Sequence, residues 1–227
     1  MNFVYICRNG VNEELRYSIR SLYKNTENPQ IWVVGGKPNW YKGNYIKVSQ
    51  NETKHKNARN NLRKITTSDQ IPDDFILMND DFFIMQPIDD IPYFHGGKLI
   101  DKVNNFKENV PKSAYTKMLS DTYEKLISLG IKNPLDYAIH VPMKMNKHKL
   151  SEVIYPYYSV RTMYGNIYGV GGKKMDDVKI HQDRKWAKSF DYSNKETTFL
   201  SSNDNSFETL FTEIFRQEFK EKSPLEK

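Results

Sequence analysis

The strongest chemical signal in the chain is a pair of adjacent carboxylates. Residues 75–85 read Phe-Ile-Leu-Met-Asn-Asp-Asp-Phe-Phe-Ile-Met, so Asp80 and Asp81, preceded by Asn79, stand between two apolar tetrads. Such tetrads are buried, and a buried carboxylate without a partner is costly or takes up a proton. A pair at the carboxyl end of a buried strand therefore needs a cation or a set of donors. Mg²⁺ or Mn²⁺ would answer, because carboxylates are their preferred ligands. In that reading Asp81 holds the metal, while Asn79 and Asp80 face a donor whose diphosphate the metal neutralises as it leaves. The competing reading is a polar turn whose aspartates cap the next element.

Three further groups have types suited to the same chemistry. Residues 54–67 are polar and basic, with Ala58, Leu62 and Ile65 at helical spacing. On such a helix Arg59 and Arg63 share a face, as do Asn57 and either Asn60 or Asn61. That face contacts a ribose or phosphates, or it is an ordinary solvated basic surface. Tyr155, Tyr157, Tyr158, Tyr164 and Tyr168 interleave with Arg161, Lys173 and Lys174. The mixture suits stacking on sugars or bases, and equally the edge of a tyrosine-rich core. Residues 169–174, Gly-Val-Gly-Gly-Lys-Lys, lack the Walker pattern and read as a basic loop able to close over a donor.

The elements that must position these residues alternate strand and helix. Apolar runs at 3–7, 31–34, 45–48 and 75–78 predict strands. Between the first two, Asn12 caps a helix with Glu13 and Glu14 in its first turn and an apolar stripe of Leu15, Ile19, Leu22 and Tyr23. The alternation predicts an α/β domain with a mixed, mainly parallel sheet flanked by helices, whose ligands bind at the carboxyl ends of the strands. Beyond residue 95 the pattern is less regular. A helix is expected from a Ser113 cap to Gly130, loop or α+β structure over 131–192, loop over 193–206, and a final amphipathic helix capped by Ser206.

Composition narrows the classes. With 227 residues, the chain is expected to form a single domain, 1–227, with a nucleotide-binding half at 1–94 and an acceptor-side half at 95–227. One cysteine, Cys7, excludes a disulfide framework or a cysteine-built zinc cluster. No apolar stretch is long enough to span a membrane, and residues 1–8 lack the order of a signal peptide, so a soluble cytoplasmic protein is expected. The net charge of +6 suits an anionic ligand, or merely a solvated surface.

Three motifs resemble a known family. The segment Glu-Glu-Leu-Arg-Tyr-Ser-Ile-Arg-Ser-Leu at 13–22, Ile-Trp-Val-Val-Gly-Gly-Lys-Pro-Asn-Trp at 31–40 and the acidic stretch at 75–82 occur in the order found in the Stealth sugar-phosphate transferases. They also resemble short phage-encoded GT-A-like glycosyltransferases. Weaker matches are His140-Val141-Pro142, Arg161 and the terminal Ser223-Pro224-Leu225-Glu226. The resemblance implies a GT-A-like nucleotide-sugar-binding fold, covering residues 3–90 most specifically. It implies active-site roles for His140 and Arg161, a third metal ligand in His181, and Asp177 as an acceptor-activating or metal-binding group. One position departs from the family: its first strand runs into an acidic residue where this chain has Arg8. A cation there pairs with a donor phosphate, or forms a surface salt bridge, and it favours plain glycosyl transfer over phosphotransfer.

The function expected is thus a metal-dependent glycosyltransferase using Mn²⁺ or Mg²⁺ and a nucleotide sugar, a UDP-sugar in first place. Its acceptor would be a glycan or hydroxymethylated phage DNA, in the host cytoplasm if phage-encoded. The alternatives are a Stealth-type sugar-1-phosphate transferase and a non-catalytic DNA- or glycan-binding module.

Overall fold

A computed structural model describes residues 1–181 and 198–227. These fall into two compact units. The first comprises Met1–Ile91, His140–Lys147 and Val178–Lys227, and the second comprises Pro92–Ile139 and His148–Asp177.

The first unit is built on a five-stranded sheet. Its strands are β1 (Asn2–Cys7), β2 (Gln30–Gly35), β3 (Asn44–Lys47), β4 (Asp74–Asn79) and β7 (Met143–Asn146), in the order β3-β2-β1-β4-β7. β1 runs parallel to both β2 and β4, and β7 alone is antiparallel, against β4. The chain reaches β2 through helix α1 (Glu13–Asn25) and then continues outward to β3. It returns through α2 (Lys54–Thr66) to place β4 on the opposite side of β1. Strand order therefore reverses between β1 and β4, leaving a crevice at their carboxyl ends, where open α/β sheets bind ligands.

Local chemistry explains these elements. The Asn12 side chain accepts from the Leu15 N–H at 3.0 Å and caps α1. The buried face of α1 is partly polar, and its polar groups serve the backbone of β5 (Phe82–Ile84). Ser18 donates to the Phe82 carbonyl, Ser21 accepts from the Ile84 N–H at 3.0 Å, and Asn25 donates to the Ile84 carbonyl at 2.7 Å. Satisfied buried polar groups of this kind fix geometry, because leaving one unpaired is expensive. Gly35, with φ near 120°, lets α2 approach β1: a Cβ there would lie 2.3 Å from the Cys7 carbonyl oxygen.

A second, three-stranded sheet of the first unit has the order β5-β10-β9, with β9 at Lys179–Ile180 and β10 at Phe199–Ser202. After β10 comes a helical stretch of three parts: one turn, α7 (Asp204–Ser206), a π-helical segment (Phe207–Phe211), and α8 (Thr212–Glu218). Phe207, Phe211, Phe215 and Phe219 pack with Tyr17 and Phe83 into an aromatic core. The Glu226 carboxylate closes the unit, bound by Arg20 through Nε at 2.8 Å and Nη2 at 2.6 Å.

The second unit contains β6 (Phe94–His95) paired with β8 (Lys173–Lys174), and helices α3 (Leu99–Asn109), α4 (Ala114–Ser128), α5 (Lys147–Ser151, its first residue counted with the first unit) and α6 (Val160–Ile167). Its core holds an ion pair, Lys102 to Asp136 at 2.7 Å. The glycine-rich segment is largely exposed, and only at Gly172 does its backbone come close to a neighbour: a Cβ there would lie 2.4 Å from the Tyr93 carbonyl oxygen.

Several expectations change. The division near residue 94 falls close to the observed boundary at Ile91, but residues 140–147 and 178–227 belong with the first unit, so 95–227 is not one half. The expected loop over 193–206 lies outside the described residues in its first part and forms strand β10 in its second. The cap of the final helical stretch is Asn203 rather than the expected Ser206, three residues on, with which it forms a reciprocal capping box.

Candidate functional site

The acidic pair follows β4 directly, in the turn before β5. β1 ends beside it, and together they open a cavity of about 450 Å³ in the first unit. Arg8 and Asn9 line it from β1, Asn79, Asp80 and Asp81 from β4, and Glu14 from α1. The α2 helix contributes Lys54, Asn57, Ala58 and Asn61, while Lys179 and residues 202–204 come from the second sheet and its helical continuation.

Each carboxylate has a distinct environment. Asp80 Oδ2 accepts from the Asn12 amide at 2.7 Å and lies 3.9 Å from Arg8 Nε. Burial, then the neighbouring Asp81 charge, raises its pKa above the ordinary range. Asp81 Oδ2 receives the Lys179 ammonium at 2.5 Å and the Ser201 hydroxyl at 3.4 Å. Its Oδ1 is buried without a hydrogen-bond partner. Glu14 is held by Arg8 at 3.0 Å and by Ser202 at 3.1 Å, and burial together with the Asp80 and Asp81 charges pushes its pKa up to about 7. Arg8 is the hub: it also forms a bidentate pair with Asp204, both contacts at 2.9 Å, which raises the guanidinium pKa and lowers that of Asp204. Half of the Arg8 side chain remains exposed. The adjacent Cys7 thiol is pushed up by burial and is not an activated nucleophile.

A divalent cation fits part of this arrangement. An orphaned buried carboxylate oxygen and two carboxyls with raised pKa mark a surplus of negative charge that a cation would relieve. Among the described residues, however, no three or more His, Cys, Asp or Glu side chains are grouped to hold a metal. A cation here would be held by one or two carboxylates and complete its shell with ligand oxygens, as Mg²⁺ commonly does.

Arg8, Asn57, Asn79, Asp80 and Asp81 thus come together in one cavity. Arg59, Asn60 and Arg63 do not line it. The lining face of α2 is Lys54, Asn57, Ala58 and Asn61, spaced i, i+3, i+4, i+7, and Arg63 points to solvent with Asn60 beside it at 3.3 Å. Asn57 spends its side-chain amide on the Glu52 backbone at 2.8 and 3.1 Å. His140 packs edge-on against Phe82, with ring centroids 6.2 Å apart, outside the cavity lining. His181 lies 3.2 Å from the Asn203 amide. Arg161, on α6, and the exposed Asp177 belong to the second unit.

Sequence reasoning missed Glu14, Lys54, Lys179, Ser201, Ser202 and Asp204, whereas Asn61, expected to share a face with Asn57, does line the cavity. By sequence Glu14 complements the helix dipole, and its second role depends on a sheet neighbour 66 positions away. For Ser201 and Ser202 a signal existed: Phe199-Leu200 is an apolar pair inside a polar stretch.

Comparison with solved structures agrees with this architecture. The galactosyltransferase LgtC, solved in complex with donor and acceptor sugar analogues, aligns at a TM-score of 0.53 and 10% identity, covering 98% of this chain and 96% of that one. The fold is GT-A-like. Glycosyltransferase GlyE of Streptococcus pneumoniae TIGR4 aligns at TM-score 0.42 and 11% identity, covering 96% of this chain and 59% of its own. Mouse xyloside xylosyltransferase 1 aligns at TM-score 0.40 and 9% identity, covering 100% and 96%. No family model and no curated protein matches the sequence. Among the described residues no helix is long and apolar enough to cross a membrane.

Proposed function

We propose that this GT-A-like chain is a nucleotide-sugar-dependent glycosyltransferase that moves a sugar to an acceptor hydroxyl with the help of Mn²⁺ or Mg²⁺. The observation that carries the reading is the Asp80-Asp81 pair at the carboxyl end of β4, at the strand-order reversal of a GT-A-like sheet, in a cavity that also holds Arg8, Lys54 and Lys179. The metal, held at Asp81 with Asp80 beside it, would supply charge neutralisation of the leaving diphosphate.

The chain's own residues do the rest. Arg8 and Lys54 present cations to phosphate oxygens, and Asn79 offers its amide toward the nucleoside part of the donor. Asn12 holds Asp80 in place through its 2.7 Å bond. Within the cavity Asp80 is the candidate for acceptor activation. A UDP-sugar is the donor we favour, and the acceptor is a glycan or modified DNA, the latter supported only by the +6 charge. The reaction would take place in the cytoplasm.

The test is a thermal-shift screen of nucleotide sugars with and without Mn²⁺, followed by donor turnover in Asp81→Ala. One nucleotide sugar should raise Tm selectively, and more so with metal. Asp81→Ala should lose turnover by on the order of 100-fold or more. Unchanged turnover in that variant would sink the proposal.

A further inference from the structure

The cavity already contains a cation bound to one carboxylate of the adjacent Asp80-Asp81 pair. Lys179 Nζ lies 2.5 Å from Asp81 Oδ2, and both side chains are largely buried, at 16% and 13% exposure. Lys179 and Ser201 are register partners on β9 and β10, so the pairing delivers both side chains to the same carboxylate oxygen. This leaves Oδ1, buried and without a hydrogen-bond partner, as the open coordination position.

We propose that Lys179 is the resident counter-ion of Asp81, against which a divalent cation must compete; this rests on the reading of Asp81 as the metal-binding carboxylate. A charged contact this short and this poorly solvated is strong, because the interior screens it weakly. A dication on the same carboxylate would sit within a few ångströms of the ammonium and be repelled by it through the same weak screening. Lys179 therefore holds the Asp81 carboxylate in position in the metal-free protein, and it weakens the binding of metal by itself.

The cavity's charge inventory points to what relieves the competition. Among the described residues, four carboxylates (Glu14, Asp80, Asp81, Asp204) face three cations (Arg8, Lys54, Lys179), a formal balance of −1. One divalent cation turns this to +1, and the two negative charges of the donor's diphosphate return it to −1. The diphosphate also gives the Lys179 ammonium a new partner in the same cavity. Metal and diphosphate thus bind better together than either alone, a positive coupling that passes through one side chain.

The experiment is titration of the purified protein with Mn²⁺ alone, free Mn²⁺ being read by its paramagnetic resonance signal, for wild type, Lys179→Met, Lys179→Arg and Asp81→Asn. Lys179→Met should bind Mn²⁺ at least about tenfold tighter than wild type, a gain of about 1.4 kcal/mol. Lys179→Arg, which keeps the charge, should bind like wild type. Lys179→Gln serves as the second neutral variant if Lys179→Met does not fold. Equal or weaker binding in the neutral variants overturns the counter-ion role. Wild-type Mn²⁺ binding preserved in Asp81→Asn instead overturns the metal assignment of Asp81, and nucleotide-sugar turnover then decides separately whether the transferase reading survives.

Discussion

Glu14 shows how one residue serves two ends. In the first turn of α1 it complements the helix dipole, and at the same time it reaches into the cavity as a buried carboxylate crowded by Asp80 and Asp81. Folded Glu14 keeps its proton up to about pH 7, whereas its ordinary value is 4.5. Between these values the folded state binds more protons than the unfolded, so this group makes stability fall as pH rises. Below both values it has no effect, and above about 7 the full penalty applies. In metal-free buffer, Glu14→Gln should therefore gain on wild type by about 2–3 kcal/mol between pH 5 and pH 8. Urea unfolding of both proteins at the two pH values measures this. A difference that does not change with pH would show that Glu14 titrates normally. Arg8 carries the opposite lesson. Its type was legible as a phosphate partner, yet in the folded chain it is shared among Glu14, Asp80 and Asp204. A donor phosphate would have to join or replace those carboxylates.

At the scale of elements, the site depends on how α1 and the final helical stretch grip β5. The serines and asparagine of α1 hold the backbone of β5, and the aromatic core holds its side chains. Phe215 is fully buried, with its ring centroid 4.5 Å from that of Phe83 and 5.4 Å from those of Phe211 and Phe219. Phe215→Ala should cost about 3–5 kcal/mol by equilibrium unfolding, from lost burial and the cavity left behind. A loss under 1 kcal/mol would mean that the aromatic core does not carry this unit. The apolar positions of this stretch, Phe207, Phe211 and Phe215, were visible from spacing alone. Its π-helical segment was not, because an i+5 turn arises only when tertiary packing favours it over the regular helix. Strand β7 and helices α3 and α6 escaped for a similar reason. In each, the hydrophobic pattern acquires meaning only from the neighbour it covers.

At the scale of the whole molecule, the proposal makes a statement about products. Incubation with the donor and an acceptor should release a nucleoside diphosphate. Release of a nucleoside monophosphate, with phosphorus transferred to the acceptor, would assign sugar-1-phosphate transfer instead. If DNA is the acceptor, its binding should weaken steeply with salt, because phosphate contacts release counterions.

The sequence by itself determined the α/β class, the parallel core strands, the capped first helix and the chemical weight of Asp80-Asp81. All of these follow from local periodicity, capping chemistry and the cost of burying charge. Only the tertiary structure decided which residues answer those carboxylates. Lys179 and Ser201 come from strands about 100 or more positions away from Asp81, Asp204 reaches Arg8 across 196 positions, and α2 presents Lys54, Ala58 and Asn61 rather than Arg59 and Arg63. Charge pairing and helix rotation are set by what the sheet brings close, and no spacing along the chain encodes that distance.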